Sequence, residues 1–254
     1  MSSGVLITAR LKSTRLHRKV LRKIGDKPMI AHLIDRMREV HLADSVTVIT
    51  STIAQDDELA DFCKSYGVNC FRGEPDDVMV RMRDAAQLLD LDWVLSVTAD
   101  NPWVCQKWSD RLLNASKLNN WDFGKIEGLP FGAFSYTVKK SALEKACKLK
   151  NTNDTEVWGE YFQEEFGFSN GVLKVPIEYP EHRPNYRLTV DVEDDLALAQ
   201  IIEKNVKADH NTATIEKIIN FLDSNKEVAS INSKIKQATP KKITLKSNYQ
   251  EFLK

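Results

Sequence analysis

The chain has 254 residues, 36 basic and 36 acidic side chains, 42% hydrophobic residues and four cysteines. That length buries roughly 70% of the unfolded surface in one large α/β domain or two small ones. Zero formal charge argues against generic binding to nucleic acid or anionic membrane, both of which rest on a positive excess. Cys63, Cys70, Cys105 and Cys147 form no C-x-x-C pair, so neither a zinc site nor a disulfide framework is expected, and reduced thiols in a cytoplasmic protein fit. The start "MSSGVLITA" lacks the pattern of a signal peptide, and no stretch approaches the roughly 20 apolar residues of a membrane span.

In chain order, "GVLITA" (4–9) reads as a first strand and is followed by a basic loop. "KPMIAHLIDRMREV" places Met29, Ile30, Leu33, Ile34, Met37 and Val40 on one helical face, with Pro28 in the first turn. "SVTVITST" is a second strand, and "DDELADFCKSYG" a helix with acids at its start and Gly67 at its end. "VNCFRG", "DDVMVRMRDAAQLLD" and "WVLSVTAD" then supply strand, helix and strand. This βαβαβαβ rhythm predicts a mostly parallel sheet with helices on both faces. Further on, "WDFGKI", "FGAFSYTV", "GVLKVPI" and "YRLTVDV" read as strands. "KKSALEKACKL", "DTEVWGEYFQEEF", "EDDLALAQIIEKNV" and "ATIEKIINFLDSN" read as helices. A single domain over 1–229 with an insertion at about 121–180 is expected, then a polar, loosely packed extension over 230–254.

In an open parallel sheet, ligands bind beyond the carboxyl ends of the strands. The basic loop, "TST" and "TADNPW" should meet there. The loop "ITARLKSTRLHRKVL" carries Arg10, Lys12, Arg15, Arg18 and Lys19 with no acid, plus the hydroxyls of Ser13 and Thr14. That composition suits a triphosphate, because a hydrogen bond from a charged donor is worth roughly 1.5–3 kcal/mol. Neither G-x-x-x-x-G-K-[ST] nor G-x-G-x-x-G is present, which disfavours P-loop kinases and dinucleotide dehydrogenases. Asp100, at a strand end, is a candidate Mg²⁺ ligand, and Asp191, at the end of "YRLTVDV", is a candidate second one, whereas Glu193, Asp194 and Asp195 fit a helix start. Asp77 and Arg81, four apart, could face a ligand or pair with each other. His182, Arg183 and Arg187 could contact an acidic acceptor.

"TARLKSTRLHRKVLRKIGDKPMIAHLIDRM", "FRGEPDDVMVRM", "VTADNPWV" and "LTVDVEDDLALA" together, in order, resemble the spore coat polysaccharide cytidylyltransferase family and its relatives, the 3-deoxy-manno-octulosonate (KDO) and acylneuraminate cytidylyltransferases. The resemblance implies a GT-A-like nucleotidyltransferase fold, CTP and Mg²⁺ as cosubstrate and cofactor, and a homodimer formed through the insertion. It implies that Arg10, Ser13, Arg15 and Lys19 bind the triphosphate, with the Ala9 backbone by the cytosine and Asp77 and Arg81 near the nucleotide. Asp100 and Asp191 would hold the metal, and Arg15, Lys19 and Asp100 would carry catalysis. Lys12, His17, Arg18, Ala99 and Asn101 depart from the family pattern, and the acceptor segments do not match the ulosonic-acid enzymes closely. The resemblance implies a small acidic or phosphorylated acceptor of surface polysaccharide synthesis, with a ulosonic acid, a sugar or polyol phosphate and a phosphonate all open. A glycosyltransferase of similar fold and a non-catalytic nucleotide binder are the competing readings. The first has no use for a basic loop aimed at pyrophosphate, and Asp100, Asp191 and Lys19 count against the second.

Overall fold

The computed structural model describes residues 1–206, 212–237 and 243–252. Strand β1 (Ser3–Thr8) is followed by a short hairpin of β2 (Lys23–Ile24) and β3 (Lys27–Pro28), helix α1 (Met29–Met37), β4 (Ser45–Ser51), α2 (Asp57–Tyr66), β5 (Asn69–Gly73), α3 (Val78–Leu88) and β6 (Trp93–Thr98). Helix α4 (Gln106–Asn119), β7 (Phe123–Glu127), β8 (Tyr136–Lys139), α5 (Lys140–Leu149), β9 (Asn170–Lys174), α6 (Glu193–Asn205), α7 (Ile215–Ser224) and the single turn α8 (Lys226–Ala229) complete the main elements.

Seven strands form one sheet in the order β5-β4-β1-β6-β8-β7-β9, with β8 antiparallel to its neighbours and the other pairings parallel. This is the mostly parallel α/β sheet anticipated from the alternating pattern. β1 is apolar on both faces because both are covered. Val5 and Ile7 join the core cluster that includes α1, α6 and α7, whereas Leu6 joins the one beneath α3 and α5.

Beyond β6 the structure departs from the sequence reading in three places. Helix α4 was not anticipated, since its mixed sequence buries only a narrow stripe of Trp108, Ser109, Leu112, Leu113 and Ser116. The expected helix over 154–166 is irregular apart from two single 3-10 turns. Its Trp158, Tyr161, Phe162 and Phe166 all enter the second cluster, where Phe123 and Phe162 stack and Trp158 meets both edge-on. The expected strand over 186–192 has one isolated bridge, Phe131 with Arg187. It is otherwise extended chain, held by Leu188 N to Phe131 O at 2.7 Å and Val190 N to Asp100 O at 2.8 Å. Among the described C-terminal residues, Asn232 is 2% exposed, and the part-buried Ile243, Leu245, Tyr249 and Phe252 lie against the second cluster, while most of their neighbours face solvent.

Two devices fix the strand ends. Buried Arg36 of α1 donates Nε to Val104 O at 2.9 Å and Nη2 to Gln106 Oε1 at 3.2 Å, and also bonds Ala213 O, so it pins the loop after β6 between α1 and the approach to α7. Gly132 has φ of +91°, and a Cβ there would stand 2.5 Å from Thr189 N. Gly132→Ala must therefore push the 187–191 segment away from β6. A loss of about 2 kcal/mol is expected, read as a lower urea midpoint at unchanged slope.

Candidate active site

The basic loop leaves β1 at Ala9, whose N–H donates to Ile49 O at 3.1 Å, and folds across the carboxyl ends of β4 and β6. Asp56, fully buried before α2, anchors it by accepting from Leu11 N at 2.7 Å, bonding the Ser51 hydroxyl and lying 3.6 Å from Arg10 Nε. At the far end Arg18 adopts the left-handed conformation, φ 52°, and pairs with Glu58; the 3-10 turn Lys19–Leu21 follows. A left-handed arginine costs roughly 1–2 kcal/mol, so the surrounding structure must hold it there.

Lys19 is thereby brought between the two acids picked out as metal ligands. Its Nζ is 2.8 Å from Asp100 Oδ2 and 2.8 Å from Asp191 Oδ1, and Arg15 Nη2 is 3.2 Å from the same Asp191 oxygen. Burial alone would lower the Lys19 ammonium below its ordinary 10.5, but Asp100 and Asp191 outweigh it and hold it above. Likewise burial alone would raise Asp191, and Lys19, Arg15 and Arg187 together pull it below the usual carboxylate range.

Asp191 is held from behind by Arg187, Asp195 and Asn232. Arg187 donates Nη2 to Asp191 Oδ2 at 2.9 Å and grips Asp195 with Nε at 2.9 Å and Nη2 at 3.0 Å. Asp195 in turn accepts from Asp191 N at 2.9 Å and Val192 N at 3.2 Å. Asn232 closes the set, donating to Asp195 Oδ1 at 2.8 Å and Arg187 O at 3.0 Å. Arg187 is thus committed to Asp191 and Asp195. The four-residue spacing of Arg187, Asp191 and Asp195 was the available signal, but Asn232 lies 37 residues from Asp195 and has none.

Arg10 bonds Pro75 O and lies 3.4 Å from Asp76 Oδ1, while Arg81 Nη1 donates to Glu74 O at 2.9 Å, so both arginines hold the 74–76 loop beside the site. Arg81 is fully buried yet its Nε and Nη2 have no protein partner; burial and the Arg10 charge push it down to about 10, still cationic at neutral pH. Buried atoms without hydrogen-bond partners recur at these strand ends, at Thr8 Oγ1, Thr50 Oγ1 and Asn101 Oδ1. Such atoms are what a polar ligand satisfies. Ser13 is half-buried in the loop.

Three expectations are corrected. Asp77 does not pair with Arg81 and presents no free carboxylate to a nucleotide: it is 1% exposed, caps α3 through Val80 N at 3.1 Å, accepts from Thr155 Oγ1 at 2.9 Å and is ion-paired with Lys150. His182 Nδ1 bonds Val175 O at 2.9 Å, and Arg183 Nη2 is 2.8 Å from Asp223, so each already has a partner within the protein. Asp191 ends an extended loop and not a strand.

Two carboxylates converging on one ammonium are hard-oxygen donors of the sort Mg²⁺ takes together with phosphate oxygens and water. Among the described residues no group of three or more His, Cys, Asp or Glu side chains could hold a metal, so further ligands would come from substrate and solvent. No helix among the described residues is long and apolar enough to cross a membrane.

A basic loop after the first strand faces acids at the ends of a mostly parallel sheet, and in a chain that the cytidylyltransferase family model matches this is the site of a nucleotidyltransferase. The cytidylyltransferase family model matches residues 4–237, and the chain belongs to that family. The spore coat polysaccharide biosynthesis protein SpsF of Bacillus subtilis is 25% identical over 89% of this chain and 95% of its own length. The 3-deoxy-manno-octulosonate cytidylyltransferase 2 of Hydrogenovibrio crunogenus is 32% identical over 72% of this chain and 70% of its own. A cytidylyltransferase structure from Leptospira borgpetersenii superposes with a TM-score of 0.81 at 23% identity, covering 94% of this chain and all of that one, and has the same fold.

Proposed function

We propose that the protein transfers a cytidylyl group from CTP to a small acidic or phosphorylated acceptor of surface polysaccharide synthesis, releasing pyrophosphate. The observation that carries this reading is the convergence of Lys19 and Arg15 on Asp100 and Asp191, in a chain of the cytidylyltransferase family. An acceptor oxygen would attack the α-phosphorus of CTP, and Arg10, Ser13, Arg15 and Lys19 would bind the phosphates, with Arg15 and Lys19 stabilising charge on the leaving pyrophosphate. The Ala9 backbone would lie by the cytosine, and the unpartnered Arg81 donors favour a place for it near the nucleotide. Asp100 and Asp191 would hold Mg²⁺, which when bound supplies charge neutralisation at the reacting phosphate. A nucleophile that is already a carboxylate or phosphate needs no strong base, consistent with the absence of a histidine among the residues gathered here. The name of the Hydrogenovibrio relative supports an acceptor of the acidic-sugar class, and that of the Bacillus relative supports a place in polysaccharide synthesis. A cytoplasmic location and a homodimer through the 121–180 insertion belong to the same reading.

Calorimetric titration with CTP, UTP, GTP and ATP in the presence of Mg²⁺ tests it without knowledge of the acceptor. CTP-selective binding is expected, weakened about tenfold by Arg15→Ala, one charge-assisted contact on a side chain 52% exposed. Equal affinity for all four nucleotides, or none at millimolar concentration, would overturn the assignment.

A further inference from the structure

We infer that Lys19 and Arg15 are resident counter-ions of the Asp100–Asp191 pair, and that a divalent cation gains these carboxylates only when a nucleoside triphosphate draws the two basic side chains away. The inference rests on the proposed cytidylyl transfer and concerns the order in which its site is assembled.

The two oxygens of Asp191 are not equivalent. Oδ2 belongs to Arg187, which is itself gripped by a fully buried Asp195 and backed by Asn232, so that contact is part of the framework. Oδ1 is shared by Lys19 at 2.8 Å and Arg15 at 3.2 Å, both carried by the loop after β1. Lys19 also occupies Asp100 Oδ2 at 2.8 Å, so its ammonium stands where a cation bridging the two acids would stand. Arg15 is half exposed and reaches in from solvent, whereas Arg187 is 9% exposed and locked at both ends. The exchangeable cations are therefore those on the loop proposed to bind phosphate.

Charge balance makes the exchange conditional. Lys19, Arg15 and Arg187 face Asp100, Asp191 and Asp195, three positive charges against three negative ones. Adding a divalent ion alone would leave the cluster with two uncompensated positive charges, at ammonium-to-metal distances where like charges repel strongly in a part-buried site. A triphosphate brings several negative charges and accepts the Lys19 and Arg15 hydrogen bonds, which releases Oδ1 of Asp191 and Oδ2 of Asp100 together. Nucleotide and metal then bind with positive coupling, and each must strengthen the other by the same factor.

Mn²⁺ serves as the probe, with free ion measured by its electron paramagnetic resonance signal and the Mn²⁺ held by CTP in solution measured in parallel. The intact protein should bind Mn²⁺ at least tenfold more tightly with CTP than without it. Lys19→Gln should bind Mn²⁺ without nucleotide at least tenfold more tightly than the wild type, and adding Asp191→Asn to that variant should remove the gain. Arg15→Gln, a change on an exposed side chain, should give a smaller gain of about threefold, and the wild-type comparison needs no variant at all. Equal Mn²⁺ affinity of the wild type with and without CTP would overturn the exchange, as would a folded Lys19→Gln, verified by its thermal transition, that binds Mn²⁺ no better than the wild type. Both results leave cytidylyl transfer standing if CTP still binds the wild type. Failure of CTP to bind the wild type with Mn²⁺ present overturns the proposed function itself.

Discussion

Replacing Asp77 with alanine is expected to cost about 3–5 kcal/mol of stability, the penalty of leaving one member of a buried ion pair alone. Asp77 and Lys150 are 1% and 8% exposed, so removing the carboxylate leaves an ammonium in the protein interior with Thr152 O at 2.9 Å as its remaining bonded partner. The same change removes the side-chain cap on α3, worth about 1 kcal/mol, and unties Thr155, whose hydroxyl also accepts from Met79 N at 3.0 Å. Urea denaturation should show the loss as a lowered midpoint at unchanged slope. Adding Lys150→Met should recover about half of it, since an apolar group of similar length tolerates burial. A loss below about 1 kcal/mol for Asp77→Ala would mean that the pair does not hold α3 to the chain after α5. Although distant from the reacting groups in role, Asp77 matters to the site: it heads the helix that carries Arg81 and follows directly on the 74–76 loop that Arg10 contacts.

Arg187→Ala should be comparably severe, about 3–5 kcal/mol, because Asp191 and the fully buried Asp195 would lose their shared counter-ion. If Asp191 holds the metal as proposed, the substitution should also weaken CTP with Mg²⁺ or Mn²⁺ about 10–100-fold, the usual effect of removing a group that orients a metal-binding carboxylate. Lysine at this position restores charge but not the fork that reaches both acids, so Arg187→Lys should regain stability more fully than ligand affinity. Denaturation and calorimetry on the same preparations separate the two effects. An Arg187→Ala protein with unchanged nucleotide affinity would show that Asp191 keeps its orientation without this clamp.

The first half of the fold was legible because each element there reports its own burial. In β1 and β6 largely apolar runs mark strands covered on both faces, in β4 the β-branched run Val46–Thr50 marks a strand, and in α1 the spacing of Met29, Ile30, Leu33, Ile34 and Met37 marks one buried helical face. The same logic misled at 154–166, where aromatic residues at near-helical spacing are instead distributed over a cluster assembled from β7, β8 and distant loops. It missed α4, whose polar surface outweighs a thin buried stripe. At 186–192, alternating apolar residues marked extended chain correctly, but whether such chain becomes a strand depends on a neighbour to pair with, and here the partners are single backbone groups of Phe131 and Asp100.

For the site, the sequence by itself determined which chemistry is on offer: a loop of cations after the first strand, and an aspartate at or near each of two other chain segments bound for the same sheet edge. It also marked the acidic starts of α2 and α6, whereas the capping role of Asp77 came from the structure. Only the tertiary structure decided who meets whom. Asp77 finds Lys150 73 residues away instead of Arg81 four residues on, Arg187 turns to Asp191 and Asp195 instead of a ligand, and Lys19 bridges acids 81 and 172 residues distant. Periodicity is a local consequence of burying one face and can be read along the chain. The choice of partner for a charge depends on which opposite charges the packed core brings within hydrogen-bonding reach, where desolvation makes an unpaired ion costly, and that is a property of three-dimensional proximity alone.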